Sequence, residues 1–144
     1  MKIYTIGFGQ KTAENFFEKL KSNGIKKLID IRLNNKSQLA GFTKKNDIIY
    51  FLKEIANIKY EYRPEYAPGK ELLDNYRKKK INWDQYEINY FELLKERDIL
   101  TKIKIADLSE VCFLCSEPTP EKCHRRLLAE YLKEQYPEIE IIHL

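Results

Sequence analysis

One short stretch of the chain, Cys115-Ser116-Glu117-Pro118-Thr119-Pro120-Glu121-Lys122-Cys123-His124-Arg125-Arg126, is denser in reactive side chains than any other. A cysteine becomes a nucleophile when its surroundings favour the thiolate, and a helix N-terminus or a nearby guanidinium does that. Cys115 ends the apolar run Val111-Cys112-Phe113-Leu114 and stands close to Arg125 in sequence. It is either that nucleophile or a small buried residue finishing a strand. Glu117 can pair with Arg125, act as a general acid or base, or sit in solvent. Cys123 either flanks the same pocket or packs beside Leu127, and Cys112, with nothing reactive beside it, reads as core.

A helix from Pro120 to about Gln135 has to position these groups, with Thr119 as N-cap and Pro120 as first helical residue. Its unpaired N–H groups then point back at the strand end holding Cys115, which makes an anion site. At about 100° per residue, Leu128, Tyr131 and Leu132 mark the buried stripe, His124 continues it one turn earlier, and Arg125 lies on its edge. Arg126 points the opposite way, into solvent. A metal cluster of Cys115, Cys123, His124 and Glu117 is disfavoured, because the spacing lacks a CxxC knuckle and a second ligand pair. No cofactor is implied.

The remaining elements read as strands alternating with helices. Lys2 to Ile6 is a strand, a helix follows Thr12, and Gly24 stops it. Lys27 to Ile31 is a second strand, Thr43 caps a second helix, and Ile58 to Tyr62 is a third strand. A helical segment covers 64–108. Val111 to Cys115 and Ile139 to His143 complete the strands. This order gives a single α/β domain over 1–144, with a mostly parallel sheet flanked by helices and a helical insertion around 64–108.

In such a sheet, ligands bind beyond the carboxyl ends of the strands, so the loops after Ile6, Ile31 and Leu114 are expected to share one pocket. Gly7 and Gly9 admit close approach to a ligand or simply make a tight turn. Asp30 and Arg32, two apart, leave the strand on one side, as ligand contacts or as a structural ion pair. The catalytic candidates are therefore Cys115, Glu117 and His124, and the substrate-binding candidates are Gly7, Asp30, Arg32, Thr119, Cys123 and Arg125. His143 reads as a terminal surface histidine.

The 144 residues are 43% hydrophobic and 33% charged, which excludes a disordered chain and a membrane protein. The net charge of +4 permits an anionic partner without naming it. The apolar stretch at the N-terminus is far too short for a signal peptide, and three cysteines without disulfide spacing suit reduced thiols, so a cytoplasmic location is expected. Arg77 to Lys80, with Tyr76, Trp83 and Tyr86 nearby, is either a solvated face or a binding face for single-stranded nucleic acid.

With these residues in hand, the chain resembles the DUF488 family, whose name records that its function is unassigned. The motifs are Tyr4-Thr5-Ile6-Gly7, Leu28-Ile29-Asp30-Ile31-Arg32 with Ser37, Leu114-Cys115-Ser116-Glu117, Cys123-His124-Arg125-Arg126 and Ile142-His143-Leu144. The resemblance implies an α/β domain. It marks Gly7, Asp30, Arg32, Cys115, Glu117, Cys123, His124 and Arg125 as signature positions. Phe8 and Gly9 stand where many relatives have His and Ser. Ala67-Pro68-Gly69-Lys70 is similar to the lysine-rich branch and departs from the Leu-Gly-Gly of other members.

Three functions stay open. The first is an enzyme on a phosphorylated or nucleotide-like substrate, held by the helix after Thr119, Arg32 and Arg125. The second is a nucleic-acid-binding module. The third is thiol or sulfur transfer, since an Asp-Ile-Arg strand end followed by a strand-terminal cysteine is similar to rhodanese-like domains.

Overall fold

Five apolar runs form strands: β1 (Lys2–Gly7), β2 (Lys27–Asp30), β3 (Lys59–Tyr62), β4 (Val111–Cys115) and β5 (Glu140–His143). In the computed structural model of the chain, which describes residues 1–36 and 41–144, all pair in parallel in the order β3-β2-β4-β1-β5. Ser37, quoted above as part of a motif, lies outside the described residues. β4 is central and buried along its whole length, as expected for a strand covered on both faces.

Side chains alternate across the sheet, and the two cores follow that parity. Ile3, Ile29, Val111 and Phe113 pack on one face with α4 (Trp83–Glu96) and α6 (His124–Gln135). Ile6, Leu28, Cys112 and Leu114 pack on the other with α1 (Ala13–Ser22) and α2 (Lys45–Phe51). By the same parity Cys115 belongs to the α4/α6 face and Cys112 to the α1/α2 face.

Local signals account for the ends of α1. Thr12 caps it by accepting from the Asn15 N–H at 3.1 Å. Gly24, at φ +68°, closes it: the Gly24 N–H donates to Lys21 O and the Ile25 N–H to Leu20 O, while Ile25 and Leu20 are both buried. Thr43 does not cap α2 as expected. It ends a 3₁₀ turn over Gly41–Thr43, and Lys44 stands at the cap with no side-chain bond.

The segment read as an insertion is the crossover that an all-parallel sheet requires, because the chain must pass from edge strand β3 over β2 to β4. It contains α3 (Lys70–Arg77), α4 and α5 (Ile99–Lys102). Its Tyr66, Tyr86, Tyr90 and Leu94 enter the core beneath α6. Tyr90 OH donates to Tyr66 O, and Arg97 Nη1 donates to Glu65 O and Ala67 O, which ties the loop before α3 onto α4.

Candidate active site

After β1 the chain crosses to β2, and after β4 it crosses the other way to β5, so the connections diverge between the adjacent carboxyl ends of β1 and β4. Open α/β sheets bind ligands at such a switch point. Here the crevice is filled. The Phe8 N–H donates to Cys115 O at 3.3 Å and the Gly9 N–H to Ser116 O at 2.9 Å, prolonging the ladder past both strands. A Cβ on Gly7 would lie 1.6 Å from Glu117 O and 2.7 Å from Arg125 Nη1. The glycine there admits the neighbouring loop of the same chain.

Four of the expected substrate contacts therefore lie away from open space. Gly7 is buried against Glu117. Arg125, instead of facing a pocket, is fully buried; its Nη1 donates to Glu117 O at 2.6 Å and reaches Cys123 Sγ at 3.4 Å, so it acts as a positioning residue. Asp30 sits opposite Leu114 in the register and so belongs to the face away from Cys115. Its carboxylate accepts from Arg32 Nε at 2.9 Å and Nη2 at 2.8 Å, and Arg32 is only 3% exposed. The pair is an internal ion pair under the α1/α2 layer.

The open space lies on the α4/α6 face. Cys115, Ser116, Glu117, Cys123 and His124 line an inner pocket of about 100 Å³, walled opposite by Tyr76, Trp83 and Tyr86 of the crossover. Tyr76, Arg77, Trp83 and Lys122 also line an outer chamber of about 480 Å³, which Lys79 and Lys80 complete. The inner volume has room for a few atoms only, and the outer one has the volume of small-molecule sites. Arg77, Lys79, Lys80 and Lys122 are exposed and have no ion-pair partner among the described residues. Trp83 stacks on Tyr86 at 4.9 Å between centroids, Tyr86 on Tyr90 at 6.4 Å, and Tyr90 meets the His124 ring edge-on at 5.9 Å. This aromatic row runs from the chamber to the thiol.

His124 Nε2 lies 2.8 Å from Ile31 O. A carbonyl only accepts, so Nε2 carries the proton and Nδ1 is the free lone pair. Cys115 Sγ lies 3.4 Å from Nδ1 and 3.6 Å from Nε2, nearly equidistant and so off the Nδ1 axis; proton transfer needs a rotation of one side chain. Burial holds His124 below the ordinary histidine range, so the ring is neutral at pH 7. Burial pushes the Cys115 thiol up, but a hydrogen bond from Cys123, the N–H groups of Ser116 and Glu117, and the Arg125 charge outweigh it and hold that thiol below its ordinary value. The hydrogen bond to Cys115 and burial push Cys123 the other way. Of the two adjacent sulfurs, Cys115 is thus the readier to ionise. Burial also raises Cys112 well above the cysteine range.

A direct expectation concerns thiol labelling. With iodoacetamide, Cys115 reacts first, its rate rising with pH and reaching half its plateau at a lower pH than a reference cysteine peptide measured alongside. Cys112 stays unlabelled in the folded chain. Mass spectrometry of the labelled protein reads both, and a half-point at or above that reference removes the stabilised thiolate.

Two sequence expectations need correction. Thr119 is not an N-cap and Pro120 is not helical, because α6 begins at His124 with Cys123 at the cap. Residues 116–122 form an irregular turn in which Thr119 bonds the exposed Glu121. Thr119 does not line the inner pocket or the outer chamber. Arg126 points outward as expected and pairs with Glu130 at 2.9 Å. Lys122, unassigned from sequence, and Trp83, named there only for a nucleic-acid face, line both chambers, and only the convergence of the crossover with α6 reveals this. Of the four residues weighed as metal ligands, the fold brings the donor atoms of Cys115, Cys123 and His124 within 4.8 Å of one another, and Glu117 is not among them.

No curated protein and no solved structure matches the chain. A family model does match, over residues 12–132, from the cap of α1 into α6. That span holds the Asp30–Arg32 pair, Cys115, Glu117, Cys123, His124 and Arg125, and stops short of Gly7 and His143. Spanning most of the sequence, the match identifies the chain as a member of the family described as domain of unknown function DUF488.

Proposed function

We propose that the chain is an enzyme acting on a phosphate-bearing, nucleotide-like substrate, with the Cys115 thiolate as nucleophile. The observation that supports it is the continuity of the inner thiol pocket with a cationic, aromatic outer chamber through Tyr76, Arg77, Trp83 and Lys122. A ring stacks on Trp83, and Arg77 and Lys122 take the phosphate. The electrophilic end enters beside Cys115. The thiolate forms a bond to that centre, and the leaving group departs with the bonding pair. Water then attacks the sulfur-bound group; His124 Nδ1 accepts its proton, and the thiolate leaves with the electrons of the S–C or S–P bond. Glu117, exposed at the rim, accepts or returns protons at the mouth.

The test is a panel of nucleoside and sugar phosphates screened for binding and turnover. Cys115→Ser is expected to keep binding while turnover falls roughly a thousandfold or more. Lys122→Ala is expected to weaken binding about tenfold, or ~1.4 kcal/mol. Undiminished turnover in Cys115→Ser overturns the covalent mechanism. The same basic and aromatic face favours a second reading, binding of single-stranded nucleic acid. Affinity for oligonucleotides that falls steeply with salt, in Cys115→Ser as in the parent, would replace the enzyme by a binding module. The sulfur-transfer alternative requires a stable persulfide on Cys115 after thiosulfate treatment, and none is expected.

A further inference from the structure

We propose that Cys115, Cys123 and His124 bind a thiophilic divalent cation of the zinc type, leaving the fourth position open to the inner pocket. Their donor atoms lie within 4.8 Å of one another. Bond lengths of about 2.3 Å to sulfur and 2.0–2.1 Å to nitrogen put tetrahedral edges at roughly 3.4–3.8 Å. The Cys115 Sγ to His124 Nδ1 separation of 3.4 Å has the length of such an edge, and a rotation of the cysteine side chain brings its sulfur toward the Nδ1 axis.

Two features outside the donor set point the same way. Histidine ligands regularly give their second N–H to a backbone carbonyl, which fixes the tautomer; His124 Nε2 gives its proton to Ile31 O at 2.8 Å. Beside Cys123, Arg125 is fully buried with Nε and Nη2 lacking any hydrogen-bond partner among the described residues. A cation held by two thiolates and a neutral imidazole has no net charge. With hydroxide or another anion in the fourth position the cluster carries −1 beside this guanidinium, which pairs with no carboxylate among the described residues. The donors stand on the end of β4 and at the start of α6, two elements that the fold itself brings together.

The site uses the residues of the covalent reading but does not depend on it, and it has a consequence for that reading. A cation on Cys115 Sγ occupies the nucleophile's lone pair, so the loaded protein is silent toward electrophiles and a chelator restores it.

Cobalt(II) added to the reduced full-length chain tests this. One equivalent is expected to produce sulfur-to-cobalt charge-transfer absorption with tetrahedral d–d bands, and zinc should bleach both. Cys123→Ser should weaken cobalt binding at least tenfold, whereas Cys112→Ser, on the opposite face, should not change it. In the unaltered chain one equivalent of zinc should slow Cys115 alkylation at least tenfold, reversed by EDTA; this arm needs no variant to fold. Absence of both the cobalt bands and the zinc protection overturns the site. Rapid alkylation that zinc does not affect leaves the nucleophile standing without the metal. Cobalt bands with a sluggish thiol leave the metal standing without the nucleophile.

Discussion

Gly7→Ala is expected to lower the melting temperature by about 6–12 °C and to return Cys115 to ordinary thiol reactivity. The added Cβ meets Glu117 O at 1.6 Å, a backbone atom no rotamer change can move, and Arg125 Nη1 at 2.7 Å. Either β1 shifts within a register fixed by β4 and β5, or the Cys115–Glu117 loop moves outward. Overpacking of this kind costs about 3 kcal/mol, and in a domain of this size each kcal/mol shifts the transition by about 2–4 °C. If the loop yields, the N–H groups of Ser116 and Glu117 leave the sulfur, and the Glu117 carbonyl leaves the Arg125 guanidinium. The stability loss and the reactivity loss then occur together. Gly41→Ala, where a Cβ meets nothing within 4 Å among the described residues, is the matched control. Calorimetry and iodoacetamide kinetics read the two effects, and an unchanged melting temperature with unchanged reactivity would mean that β1 and the loop are not packed this closely.

The strands were legible because β-branched and apolar runs end at glycine or charge, and the order of strands and helices sufficed for a parallel sheet. Cys115, Glu117, Cys123 and His124 were legible as neighbours because a strand end and the next helix start must meet. The grouping failed where it ignored parity. Asp30 was grouped with Cys115 because both sit at strand ends, yet the register sets Asp30 beside Leu114, one residue short of Cys115 and on the other face. Thr119 and Pro120 form a strong helix-start pair in isolation. The chain instead spends 116–122 turning, because the Glu117 carbonyl is held by Arg125 and Cys123 carries the cap position. Trp83 was legible as part of a basic, aromatic face, but its place beside Cys115 and that of Lys122 were not, since no local pattern says which part of a long crossover returns to the strand end it serves.

Asp30→Asn is expected to destabilise the fold by about 3–5 kcal/mol while leaving Cys115 chemistry intact below the melting transition. The Asp30 carboxylate is fully buried and accepts from the Arg32 backbone N–H at 3.1 Å, Arg32 Nε at 2.9 Å, Arg32 Nη2 at 2.8 Å and Tyr60 OH at 2.5 Å. An amide keeps the shape but removes the charge and turns one acceptor into a donor facing donors. Among the described residues, Arg32 is then a buried cation left with Thr43 O at 2.6 Å and the Phe8 ring at 5.4 Å. Leaving one partner of a buried pair costs several kcal/mol, whereas replacing both by apolar groups is often neutral. Asp30→Leu combined with Arg32→Met should therefore be more stable than Asp30→Asn. Burial and then the bond to Asp30 raise the Tyr60 hydroxyl above the usual tyrosine range, so Asp30→Asn should also lower the pH at which Tyr60 ionises, visible in the ultraviolet. Calorimetry of the three proteins with parallel thiol labelling separates frame from site: a fold that tolerates Asp30→Asn while ligand binding or Cys115 reactivity disappears would move Asp30 and Arg32 into the active site.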